Sequence, residues 1–151
     1  MKTLTQLMIL SCLTVLAAAS EPKKIVFVCE HGSVKSIVAV AHFNRMAEEA
    51  GLDYRAISRG TAPNDEVPAV VVDGLKKDGL EPSLRKPVKL DMADTRDADR
   101  IVAMVALPAD YANDKRVTIW SDVPPVTVDY VKAREVIVGH LHALVNELRK
   151  P

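Results

Sequence analysis

Ile25-Val26-Phe27-Val28-Cys29-Glu30-His31-Gly32-Ser33-Val34-Lys35-Ser36 is the stretch on which the fold turns. Residues 25–28 form a continuous apolar, β-branched run, which predicts a strand buried on both faces, the kind that parallel sheets use. Residues 36–50 contain neither Gly nor Pro, carry Ile37, Val40, Ala41 and Ala47, and stop at Gly51. That pattern predicts a helix with a glycine C-cap. The unit is strand, short loop, helix, with Cys29 at the end of the strand.

The unit recurs outward from this stretch. Residues 54–57 read as a second strand and residues 67–78 as a helix ended by Gly79, so that Ala50-Gly51-Leu52 and Asp78-Gly79-Leu80 are matching helix exits. Residues 101–105 form a third buried strand and residues 117–120 a fourth. From 129 to 149, Tyr130, Ala133, Ile137, Leu141, Leu144 and Leu148 recur at intervals of three and four, the stripe of an amphipathic helix. The expected fold is α/β, a single domain with an open four-stranded parallel sheet and helices on both faces. Ligands in such sheets bind beyond the carboxyl ends of the strands, where Cys29 lies.

A chain of 151 residues suits one core. Lys plus Arg and Asp plus Glu are each 20. Lys2 is the only charged residue among residues 1–20, so the remainder carries 19 basic against 20 acidic side chains. That balance argues against nucleic acid or an anionic membrane surface as partner. Residues 1–20, MKTLTQLMILSCLTVLAAAS, place one basic residue before an apolar run and end in small residues, the pattern of a cleaved secretory signal peptide. The expectation is an exported protein, periplasmic or secreted, free of the membrane after cleavage. Cys12 would leave with the signal, and Cys29 would be the only cysteine of the mature chain.

The loop after the first strand sits where helix N–H groups lack intrahelical partners and the helix dipole favours negative charge, so it should bind an oxyanion. Gly32 can adopt a positive φ and let successive N–H groups converge, and Lys35 adds a full charge. The same features favour thiolate over thiol at Cys29. Glu30 is expected to face outward. Ser36 can donate to the Cys29 sulfur or cap the helix that follows, two compatible readings, and His31 either approaches the oxyanion or is a solvated loop residue. His42 lies within the first helix, and His140 and His142 point to different faces of the last, so no metal pair and no cofactor site are indicated.

These residues resemble the low-molecular-weight protein tyrosine phosphatases and the arsenate reductases that share their fold. The resemblance runs over residues 24–149. It is carried by Ile25-Val26-Phe27-Val28-Cys29, by a basic residue and Ser36 at the loop's end, and by Met46-Ala47-Glu48. Ser58-Arg59-Gly60-Thr61, placed after the second strand, and Trp120-Ser121-Asp122-Val123-Pro124, placed before the last helix, complete it. It implies hydrolysis of a phosphomonoester, of phosphotyrosine type, through a phosphocysteine at Cys29. The loop residues Glu30, His31, Gly32, Ser33, Val34 and Lys35 would bind the phosphate, Ser36 would support the sulfur, and Asp122 would be the general acid. Taken by itself, Asp122 is an ordinary loop carboxylate. The substrate would be a phosphorylated small molecule or a phosphoprotein. Lys35 stands where the family has arginine, and His31-Gly32 where it has Gly-Asn. The alternatives are an arsenate reductase using an external thiol, and a phosphate-binding module without turnover.

Overall fold

The structure is a computed structural model and describes residues 20–150. The expected signal segment, apart from Ser20, lies outside the described residues, as does Cys12. Four strands form one parallel sheet: β1 (Lys23–Cys29), β2 (Tyr54–Gly60), β3 (Ala98–Ala103) and β4 (Val117–Ile119), in the order β2-β1-β3-β4. Chain order places β2 on one side of β1 and β3 on the other. The order therefore reverses at β1, and a crevice opens beyond its carboxyl end, where ligands of open α/β sheets bind.

Alternation along β1 divides the core. Phe27 points to the face covered by α1 (Lys35–Glu49), α2 (Ala69–Lys77) and α5 (Tyr130–Leu148), while Val26 and Val28 point to the other. The Phe27 ring lies 5.8 Å from Phe43 of α1 and 5.7 Å from Trp120, both tilted. The stripe on α5 buries Ala133, Ile137, Leu141, Leu144 and Val145. The second face is covered by segments that include α3 (Met92–Arg96) and α4 (Ala109–Ala112), with Leu90, Leu107 and Tyr111 on Val28, Ile101 and Ala103. A single α/β domain with a four-stranded parallel sheet and helices on both faces is thus present.

Boundaries differ in instructive ways. β2 runs to Gly60, so Ser58 and Arg59 belong to the strand rather than following it. β3 begins at Ala98 and ends at Ala103, three residues earlier than the apolar run at its start. Polar Asp99 and Arg100 enter the strand because the Tyr54 hydroxyl donates to Asp99 and Arg100 reaches Glu147. Met104 and Val105 are left beyond the sheet, at the crevice. β4 is a short edge strand. Among the described residues no helix is long and apolar enough to cross a membrane.

Candidate active site

The loop between β1 and α1 is held from below by β2 and its continuation. Thr61, Ala62 and Asn64 donate backbone N–H groups to the carbonyls of Cys29, Glu30 and His31 at 3.1, 2.8 and 3.1 Å. Gly32 has φ +62°, as its role in the turn requires. Gly60 faces it so closely that a Cβ there would stand 2.7 Å from the Gly32 nitrogen. Two glycines therefore let the loop lie directly on β2. Lys35 and Ser36 form the first turn of α1, and no side chain caps that helix.

Cys29 is buried at 3 % exposure, yet it lines a cavity of about 410 Å³. Its sulfur lies 3.0 Å from the Ser36 hydroxyl, which lies 2.7 Å from that of Ser58, itself 2.9 Å from the Gly32 carbonyl. Ser58 donates to Ser36 and lies within reach of the Gly32 carbonyl, which leaves the Ser36 hydroxyl proton to donate to the Cys29 sulfur. Ser36 thus supports the sulfur, and the capping alternative is not realised.

The loop contributes Cys29, Glu30, His31, Val34 and Lys35 to the cavity lining. The opposite wall is Pro125, Val126 and Thr127, with Met104 and Val105 after β3. Asn64 and Pro68 complete it. Among the described residues the lining includes no Phe, Tyr or Trp. Glu30 lines the mouth with its side chain 64 % exposed. Ser33 is fully buried and accepts from the Asn64 amide at 3.1 Å. Asn64, in a polar loop with no periodic signal, is a site residue that the sequence reading missed. The Lys35 ammonium donates to the Val123 carbonyl at 2.5 Å, tying the β1–α1 loop to the segment after β4. Two of its three protons stay available to an anion.

Asp122 is not brought together with these residues. Its carboxylate bonds Nε2 of His140 through both oxygens, at 2.8 and 3.0 Å, and it is absent from the cavity lining. The His140 ring stacks on Trp120 at 4.7 Å, so α5 holds Asp122 from the outer side. The hydrogen bond from His140 holds the carboxyl below the usual carboxylate range, opposite to what a proton donor needs. His140, given no role in the sequence reading, is thus the partner that fixes Asp122. Among the described residues no group of His, Cys, Asp and Glu is arranged to hold a metal.

Fold and site define a class: an α/β domain with a buried cysteine at the start of a tight strand-to-helix loop, at the switch point of a parallel sheet. Residues 24–122 match the family described as low molecular weight phosphotyrosine protein phosphatase, and the chain belongs to that family. Solved structures agree in fold. The low molecular weight protein tyrosine phosphatase from T. tengcongensis is 24 % identical with a TM-score of 0.71, over 83 % of this chain and 99 % of that one. YwlE arginine phosphatase, a mutant with phosphorylated active site serine, is 20 % identical with a TM-score of 0.74, over 84 % and 96 %. The Corynebacterium glutamicum thioredoxin-dependent arsenate reductase is 20 % identical with a TM-score of 0.68, over 87 % and 64 %. A search of curated proteins gave no match.

Proposed function

We propose that this protein hydrolyses phosphomonoesters through a phosphocysteine at Cys29. The observation that carries the reading is the buried sulfur on the cavity wall, with Ser36 at 3.0 Å and Lys35 on the same lining. The thiolate attacks phosphorus, the ester oxygen leaves, and water then cleaves the S–P bond, while donors aimed at the equatorial oxygens stabilise the charge that develops. The phosphorylated serine at the active site of YwlE arginine phosphatase supports a covalent route in this fold. Aliphatic walls of Val34, Pro68, Met104 and Val126 favour a ligand held by its phosphoryl group over one recognised by ring stacking. Residues 1–20 support the further reading that the protein acts outside the cytoplasm on a phosphorylated small molecule or phosphoprotein.

A phosphate-binding module without turnover is the second reading. It is favoured by one observation, the removal of Asp122 from the cavity. An arsenate reductase would need an external thiol, since Cys29 is the only cysteine among the described residues. The test is release of the chromogenic alcohol from an aryl phosphate by the purified protein and by Cys29→Ser. Turnover lost in the variant with phosphate binding retained supports the hydrolase. Binding without turnover in both forms supports the module.

A further inference from the structure

With Asp122 held on the outer side by His140, the leaving oxygen of a bound ester still requires a proton. The titratable side chains lining the cavity are Cys29, Glu30, His31 and Lys35. Cys29 is the nucleophile and Lys35 is committed to the Val123 carbonyl and the phosphoryl charge. We propose that His31 is the general acid and base of this site, an assignment that rests on the phosphomonoesterase reading above.

The geometry supports it at each ring nitrogen. Nδ1 lies 3.4 Å from the Ala62 carbonyl, an atom that can only accept, so the Nδ1 position carries hydrogen. The proton that exchanges is therefore on Nε2. Nε2 lies 3.9 Å from the Glu30 carboxylate, a counter-ion for the imidazolium form. The backbone behind the ring is fixed, because the Glu30 and His31 carbonyls accept from Ala62 and Asn64. The side chain is 44 % exposed and lines the same cavity as Cys29, on the path by which a leaving group would project from it.

The steps balance. As the Cys29 sulfur bonds to phosphorus and the P–O ester bond breaks, the Nε2 proton passes to the leaving oxygen, giving the alcohol and neutral His31. Water then attacks the phosphocysteine, neutral Nε2 takes its proton, and the S–P bond breaks to release phosphate and the thiolate.

The experiment compares phenyl phosphate, a poor leaving group, with para-nitrophenyl phosphate, a good one, for the unmutated protein, His31→Ala and Asp122→Asn. His31→Ala should lower kcat/KM for the phenyl ester by about 100-fold, the low end for general acid catalysis, and much less for the nitrophenyl ester. Added imidazole should restore the phenyl ester rate in His31→Ala alone, a response that a merely structural role would not give. Equal losses on both esters with no imidazole rescue overturn the assignment while the hydrolase reading stands. A leaving-group-dependent loss in Asp122→Asn instead gives the role to Asp122. Absence of turnover and of phosphocysteine in the unmutated protein overturns the hydrolase reading, and this assignment with it.

Discussion

At the scale of single residues, the account rests on side chains whose partners are few. Cys29, Gly32, Lys35 and Ser36 were legible because a cysteine at a strand end, a glycine, a cation and a hydroxyl form a spaced pattern in one loop. Asp122 was legible only as a carboxylate after a strand. Which way it turns depends on His140, 18 residues on, and on the stacking surface of Trp120 beneath that ring. Asn64 meets Ser33 across 31 positions, a contact that no local pattern encodes. Gly60→Ala should shift or unseat the loop, because its Cβ would meet Gly32 and His31 backbone atoms at 2.7 and 2.8 Å, which cannot give as a flexible side chain would. The expected outcome is a loss of about 1–3 kcal/mol in denaturant unfolding together with weaker vanadate binding. Lys35→Arg tests the cation. A planar fork donates two parallel hydrogen bonds where an ammonium acts as a point charge, so turnover of an aryl phosphate should rise about tenfold, or ~1.4 kcal/mol. A fall would show a loop shaped around lysine and its Val123 contact.

Among the elements, the long ones were legible because each buries a periodic stripe. β1, α1 and α5 differ from the sequence reading by a few residues at their ends. α3 and α4, of five and four residues, were not read, since they are too short to show a period. What closes α1, α2 and α5 together was equally hidden: Asp78, at the end of α2, accepts from the Tyr130 hydroxyl at 2.7 Å and faces His42 Nε2 at 3.2 Å and Arg134 at 3.7 Å. Gly74 makes room for the Tyr130 ring, which a Cβ would strike. Burial lowers the His42 pKa below its ordinary 6.5, and outweighs the attraction of Asp78, while Arg134 and Arg45 add to the lowering. The unfolded chain therefore binds the proton more readily. Stability from neutral His42 is present above the ordinary histidine range and is lost as pH falls through that range toward the lowered folded value. The melting-temperature advantage of the unmutated protein over His42→Gln should be larger at pH 8 than at pH 5. An advantage independent of pH would contradict this.

For the whole molecule, the reversal of strand order at β1 decides where chemistry can occur. It gathers the β1–α1 loop, Met104 and Val105 after β3, and Pro125–Thr127 after β4 at one carboxyl-end crevice, although they span nearly a hundred residues of chain. Strand and helix alternation predicted that crevice; the identity of its far wall depended on loop paths that sequence periodicity does not describe. The central claim is that Cys29 carries the phosphoryl group. The direct measurement is intact and peptide mass spectrometry of the protein acid-quenched during turnover of para-nitrophenyl phosphate. The account predicts a phosphoryl adduct on the peptide containing Cys29, formed at the rate of nitrophenol release, with that release lost in Cys29→Ser. Nitrophenol release by the unmutated protein with no adduct, or release that persists in Cys29→Ser, would contradict it.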